Sequence, residues 1–369
     1  MTEQAQSIAT ICELCAFLIL SSTARQDHYG STMRNAVTLA DVAKAAGVHP
    51  GTASRSLNEQ TENQVSKETA RRVQKIAKQM GYTPNTVARG LRTKKSMSIG
   101  VIVPDLTNPI FPPMVRGVDS YLLSRSYSVL VVNTDNNHEV EKKLFNSLME
   151  RQVDGLIIAT GQNEKGTISE YHRLGVKAVM VNRELNGVPY PAVIGDDGNG
   201  IRMAIEHLAS LGHKKLLHLA GPAASSTSRT RSQAFTDNCK RLGLQARIVK
   251  TEAYSVDAGQ WAMDKYLDQY PYEITAVLAG NDLLALGVYH SLRLHGLRCP
   301  QDVSVVGFND MPFSNDFQPP LTTIKAPYFD MGVEAARLIL SQIDGVDNGP
   351  MKVTLPVSLI IRGSTTQVL

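Results

Sequence analysis

DVAKAAGVHPGTASRSLN, residues 41–58, places two short Ala-rich segments on either side of Gly47-Val48-His49-Pro50-Gly51. A core helix gains nothing from being stopped after about one and a half turns and restarted on proline and glycine. A helix that must leave its neighbours and project does. Thr38 stands before the first segment as an N-cap, with Asp41 three residues on as in a capping box. Leu39, Val42, Ala43 and Ala46 recur at helical spacing, and Gly47 ends the helix. Pro50 suits a first helical position, while His49 reads as a poor cap. The second helix is expected to run to about Leu57. A third begins near Ser66, with Thr69, Val73, Ile76, Ala77 and Met80 on one side and Lys67, Arg71, Arg72, Lys75 and Lys78 on the other. Gly81 stops it. Short helices joined by a tight turn make a helix-turn-helix. The N-terminal end of its second helix can enter the DNA major groove, about 12 Å wide. Thr52, Ser54, Arg55 and Asn58 are the polar groups that follow Pro50 and Gly51.

Charge supports that reading. The whole chain of 369 residues carries a net +4, but residues 34–95 hold 12 Lys and Arg against 4 Asp and Glu. A local basic block on a near-neutral remainder points to a polyanion partner.

From Ser98 onward the texture changes. IGVIVP (99–104), YSVLVVNT (127–134), GLIIAT (155–160), KAVMVN (177–182), KLLHLAG (215–221), AVLAG (276–280) and VSVVGF (303–308) are short runs rich in Val, Ile and Leu. Helix-like stretches with Gly or Pro near their ends separate them. Buried parallel strands read this way, and strand–helix alternation predicts doubly wound α/β sheets. Seven such units exceed one open sheet, so two α/β lobes with a cleft between them are expected.

Several functions are disfavoured. Cys12, Cys15, Cys239 and Cys299 form no disulfide framework. The lone C-x-x-C of Cys12 and Cys15 lacks the second ligand pair of a structural zinc site. CAFLIL (15–20) imitates part of a signal peptide, but Glu3 and Glu13 replace the basic residues that should precede it. The run is too short to span a bilayer. Residues 1–35 are expected to be an extension outside the fold or to follow a mis-assigned start, with Met33 the natural first residue. No H-e-x-x-H, G-x-S-x-G or Walker pattern points to catalysis. LAGPAASS (219–226) lacks the glycines and lysine of a phosphate cradle. Neither cofactor nor metal is expected, and an enzyme is not.

VTLADVAKAAGVHPGTASRSLN, VSKETARRVQKIAKQMGYTPNTVARGLR and SIGVIVPDLTNPIF together resemble the lactose/galactose-repressor (LacI/GalR) family of bacterial transcription regulators. AIEHLASLGHKKLLHLAGP, AVLAGNDLLALGV, SVVGFND, PPLTTIKAP and LIIRGSTT continue the resemblance, which spans roughly residues 36–366. It implies a helix-turn-helix domain at 36–83, a hinge helix and linker at 84–95, and a two-lobed periplasmic-binding-protein-like (type I) effector and dimerisation domain at 96–366. The N-lobe would comprise 97–193 and 326–355, the C-lobe 194–325 and 356–366. The function implied is a cytoplasmic repressor that binds a palindromic operator in double-stranded DNA as a homodimer and answers to a small polar effector. A periplasmic-type sugar-binding protein is the alternative, against which the helix-turn-helix stands. No heptad extension follows Arg362-Gly363-Ser364-Thr365, which favours a dimer over a tetramer.

The resemblance also implies residue roles. Thr38, His49, Pro50, Gly51, Thr52, Ser54, Arg55, Asn58 and Tyr82 would contact DNA. So would the hinge residues Asn85, Val87, Ala88 and Leu91, with Leu91 wedged into the minor groove. His-Pro-Gly departs from the family pattern of Ser and two larger residues, which shifts base readout to Arg55, His49 and Thr52. In the cleft, Asn108 and Phe111 would line one lobe. Asn182 and Arg183, Arg229 and Arg231, Asn281 and Asp282, and Asn309 and Asp310 would contact the effector, most of them just after strands. Such groups present matched donors and acceptors to hydroxyls. Asn182 and Asn309 stand where the family often has Asp, so a sugar, sugar acid or sugar phosphate would fit.

Overall fold

The computed structural model describes residues 37–58, 61–83, 95–160, 167–185, 189–271, 273–346 and 351–368. It divides into two units, Met1–Thr86 and Val87–Leu369.

In the first unit, α1 (Leu39–Ala46), α2 (Pro50–Ser56) and α3 (Lys67–Met80) enclose a small core of Val42, Ala43, Ala46, Ala53, Val73 and Ala77. The residues are small because the helices are short and cross closely. The Thr38–Asp41 capping box is formed on both sides. Gly47 ends α1 at φ 64°, a left-handed conformation that costs glycine no Cβ clash. His49 differs from its expected behaviour. It is the N-cap of α2, and its Nδ1 accepts a hydrogen bond from the Gly51 N–H at 3.1 Å. An unprotonated imidazole nitrogen can take the place of a hydroxyl or carboxylate oxygen there. The cationic side of α3, with Lys67, Arg71, Arg72, Lys75 and Lys78, is exposed.

The second unit holds two six-stranded sheets. The first contains β1 (Ser98–Val103), β2 (Ser128–Asn133), β3 (Gly155–Ile158), β4 (Ala178–Val181), β5 (Ala192–Gly195) and β11 (Lys352–Leu355) in the order β11-β5-β4-β3-β1-β2, all parallel. The second contains β6 (Lys215–Ala220), β7 (Gln245–Lys250), β8 (Ala276–Ala279), β9 (Ser304–Asn309), β10 (Thr322–Lys325) and β12 (Ser358–Ile360) in the order β12-β10-β9-β8-β6-β7. Only β12 runs antiparallel to its neighbour. The chain passes between sheets after β5, after β10 and again between β11 and β12.

The connecting helices are α4 (Phe111–Leu123), α5 (His138–Glu150), α6 (Thr167–Arg173), α7 (Asp197–Ser210), α8 (Ser226–Leu242), α9 (Val256–Gln269), α10 (Asp282–Leu294) and α11 (Tyr328–Ile343). Helix α11 returns to the first sheet and lies against α4. There Gly117 faces the Phe329 carbonyl and Gly332 faces the Met114 carbonyl, so closely that a Cβ at either would sit 2.0 Å from the oxygen. The two backbones can meet only because both residues are glycine.

All seven apolar runs are strands. The strands not foreseen are β5, β7, β10, β11 and β12. β7 is an exposed edge strand and carries Gln245, Arg247 and Lys250 in place of an apolar run. β10 is buried but opens with two threonines.

Candidate functional site

A cavity in the second unit is lined by Asn108, Ile110, Phe111, Asn182, Arg183, Thr227, Arg231, Tyr254, Asn281, Asn309 and Tyr328. Both sheets contribute. Asn182 follows β4 in the first sheet, while Asn281 and Asn309 lie at the ends of β8 and β9 in the second. The carboxyl ends of strands in open α/β sheets are where ligands bind, because the loops diverge there.

On the second-sheet side Asn281, Asn309 and Arg231 each have protein partners, and only Arg231 Nε is buried without one. Asn281 caps α10, its Oδ1 accepting from the Leu284 N–H at 2.8 Å. Asn309 has φ 122°, and its Oδ1 accepts the Tyr328 hydroxyl. Arg231 donates through Nη1 to the Gly280 carbonyl at 2.6 Å and through Nη2 to Asp197 at 3.0 Å. Its guanidinium lies 3.6 Å from the centre of the Phe308 ring. Burial opposes the charge on Arg231, but the Asp197 carboxylate outweighs it and the pKa is raised.

On the first-sheet side the groups are loosely held. Asn182 adopts φ 63° and fixes its backbone through an N–H bond to the Val193 carbonyl at 2.8 Å. Asn is among the few residues that tolerate that region. Arg183 is buried, and its Nε and Nη1 have no partner. Asn108 accepts weakly from the Ile110 N–H at 3.4 Å.

Three residues expected to contact the effector lie outside the cavity lining. Arg229 is exposed, and its Nη1 donates to the Ala224 carbonyl at 2.9 Å. Arg229 and Arg231 are two positions apart on α8, hence about 200° apart around the axis, so one turns in and the other out. Asp282 is buried behind Asn281, where Oδ1 accepts from Thr323 Oγ1 at 2.6 Å and Oδ2 from the Met311 N–H at 2.8 Å. A Cβ on Gly307 would lie 2.2 Å from that Oδ1. Asp310 pairs with Arg362 at 2.6 Å and accepts from Ser314 Oγ at 3.1 Å. Both carboxylates brace loops whose neighbouring asparagines face the cavity. Thr227, Tyr254, Ile110 and Tyr328 line the cavity without having been expected. Their neighbours gave only a weak signal, since Tyr254 follows the unforeseen β7 and Tyr328 follows the unforeseen β10.

In the first unit, His49, Pro50 and Gly51 form the start of α2, Arg55 is exposed, and Thr52, Ser54 and Asn58 are half-buried. Thr38 is exposed within its capping box, and Tyr82 packs against the small core. Asn85, Val87, Ala88 and Leu91 lie outside the described residues, as do Cys12 and Cys15. Among the described residues no cluster of three His, Cys, Asp or Glu side chains could hold a metal ion, and no helix is long and apolar enough to cross a membrane.

A capped helix-turn-helix, and a two-sheet unit with a polar cavity at the strand ends, define a ligand-responsive DNA-binding regulator. Residues 38–85 match the model of bacterial regulatory proteins of the lacI family, and residues 205–365 match a periplasmic binding protein-like domain. The ribose operon repressor of Halalkalibacterium halodurans is 32% identical over 328 residues, 89% of this chain and 97% of that protein. The repressor CytR of Escherichia coli K12 is 31% identical over 89% of this chain and 96% of its own length. The lac repressor dimer bound to operator and an anti-inducer is similar in structure, with TM-score 0.81 and 30% identity over 90% of this chain and 99% of that one. A ribose-bound regulator from Enterococcus faecium aligns with TM-score 0.66 and 30% identity, covering 74% of this chain and 100% of that one. The chain belongs to the lacI family of bacterial transcription regulators.

Proposed function

We propose that this protein is a cytoplasmic repressor that binds a palindromic operator as a homodimer and is controlled by a small sugar or sugar derivative held in the cleft. The observation that carries the reading is the cavity wall of Asn281, Asn309 and Arg231. Each is held by at least one hydrogen bond, which leaves amide and guanidinium donors for ligand hydroxyls. The first relatives named above are repressors, and one structural relative holds ribose.

In the same proposal α2 reads base edges with Arg55, His49 and Thr52, while Lys67, Arg71 and Arg72 add phosphate attraction. The hinge residues, with Leu91 as minor-groove wedge, complete the contact. The domain limits proposed are 36–83, 84–95 and 96–366, with the two lobes divided as the resemblance implies. Mobility shift on DNA from around the gene tests the reading, with neutral sugars and their derivatives added in turn. The expected outcome is one palindromic site whose occupancy changes with one chemical class of ligand. Binding that ignores every sequence would overturn the operator assignment.

A further inference from the structure

Two buried guanidiniums line the cavity, and they are in different states. Arg231 has its carboxylate partner, Asp197, and a backbone carbonyl. Arg183 is 7% exposed. It forms no hydrogen bond or ion pair among the described residues, and Nε and Nη1 are both cut off from solvent. A guanidinium cannot escape by losing its proton, and a buried unpaired charge is strongly unfavourable. Among the described residues, the carboxylate that chiefly acts on it electrostatically is Glu141 of α5. Glu141 makes no ion pair with it, and burial pushes its carboxyl up, toward the neutral form. None of the eleven lining residues is Asp or Glu. Among the described residues the cavity therefore holds a guanidinium with no carboxylate at ion-pair distance, beside a set of hydroxyl-binding groups.

We propose that the effector is an anionic polyol, whose hydroxyls meet Asn281, Asn309 and Arg231 and whose carboxylate or phosphate oxygens seat on Arg183. This rests on the cleft being the effector site. A charge-assisted bond from a guanidinium is about twice as strong as a neutral one, and its planar fork suits either oxyanion. A neutral sugar could offer Arg183 hydroxyl acceptors but would bring its charge no counterion. The oxyanion relieves that charge and fixes which end of the polyol faces the first sheet.

The test uses the full chain and matched probes: glucose, gluconate and glucose 6-phosphate, then ribose, ribonate and ribose 5-phosphate. Calorimetry and thermal melting are read for the parent and for Arg183→Met. The expected result is that one anionic member binds the parent at least about tenfold tighter than its neutral sugar. That preference should vanish in Arg183→Met, and the better of the carboxylate and phosphate arms identifies the anion. The unliganded Arg183→Met protein should melt higher than the parent, because the unpaired charge is gone. A neutral sugar that binds as well as its acid and its phosphate, or a lowered melting temperature in unliganded Arg183→Met, would overturn the anion assignment. In the first case the cleft remains the effector site. If no probe of either kind shifts melting or operator binding of the parent, the cleft reading falls and the anion with it.

Discussion

The two walls of the cavity are built to different standards. On the second-sheet wall most cavity-facing polar groups have protein partners: Asn281 is tied to α10, Asn309 to Tyr328, and Arg231 to Asp197 and Gly280 with only its Nε unpartnered. On the first-sheet wall, Arg183 is buried with its Nε and Nη1 unpartnered, and Asn182 is fixed by its backbone alone. A wall fixed in advance loses little side-chain freedom when ligand arrives. A wall with unmet bonds gains most from ligand. A ligand in the cavity would gain more on the first-sheet side, since two of the three unpartnered guanidinium nitrogens that line it belong to Arg183 and one to Arg231.

The largest expected effect comes from breaking the fixed wall. Arg231→Ala leaves Asp197 buried without its partner, at a cost of about 3–5 kcal/mol of stability. Effector binding should be lost as well. Thermal or urea denaturation and calorimetry check both. A variant that stays within about 0.5 kcal/mol of the parent, the limit for surface changes, would show that Asp197 finds water or another donor and that the wall is less rigid than its hydrogen bonds imply.

Behind the same wall, burial pushes Asp282 up to about 7, with the Thr323 and Met311 bonds opposing. The folded protein therefore holds a proton between pH 4 and 7 that the unfolded chain has given up. Asp282 makes stability fall as pH rises through that window, by up to about 4 kcal/mol. His218, fully buried on β6, works the other way. Burial lowers it to about 4, so the folded state lacks a proton that the unfolded state takes up below about 6.5. Asp282→Asn leaves the His218 contribution in place and removes the other. Its stability should rise with pH more steeply than the parent's between pH 4 and 7. Parallel curves from urea titrations at several pH values would mean that Asp282 is ionised in the fold, and that the brace between the β8 and β9 loops is a charged one.

These groups also mark what the sequence could and could not carry. The helix-turn-helix was legible because caps and a mid-element Pro-Gly are local chemistry: Thr38, Asp41, Gly47 and Pro50 act on neighbours within a turn. The buried strands were legible because both faces of a central strand are covered, which demands unbroken Val, Ile and Leu. Edge strand β7 escaped notice because exposure lets it carry Gln245 and Arg247. In the cleft, the residue types were legible but their direction was not. Asn281-Asp282 and Asn309-Asp310 are adjacent pairs at strand ends, and only tertiary contacts such as Thr323, Met311 and Arg362 decide which member turns inward. Tyr254 sits in a loop and Tyr328 opens α11, neither within a motif, and only the folding of the chain brings them to the cavity.

In the first unit a smaller effect probes the same distinction between groups already engaged and groups left free. His49 spends Nδ1 on capping Gly51, which leaves Nε2 as its donor toward DNA. His49→Ala should cost about 1 kcal/mol of stability through the lost cap. His49→Asn should recover most of that, because an Asn side chain caps well, yet it need not recover operator affinity. Melting of the N-terminal unit within the full chain, set beside operator titrations, separates capping from readout. Equal recovery of both by Asn would assign His49 to capping alone.

The smallest effect is expected at Arg229, and it tests the cavity's boundary. Arg229 and Arg231 are chemically identical and two residues apart, but the turn of α8 sends Arg231 inward to Asp197 and leaves Arg229 exposed, donating to the Ala224 carbonyl. Arg229→Ala removes exposed contacts, among them the bonds to the Ala223 and Ala224 carbonyls, that water can replace. Stability should stay within about 0.5 kcal/mol of the parent, and effector affinity within about twofold, a difference of roughly 0.4 kcal/mol. The two substitutions measured side by side by calorimetry should thus differ from near nothing to complete loss, although a sequence reading treats the residues alike. A drop in effector affinity of about tenfold in Arg229→Ala would mean that the ligand reaches the outer face of α8. The site would then extend past the eleven lining residues, and the fixed wall would be wider than Asn281, Asn309 and Arg231.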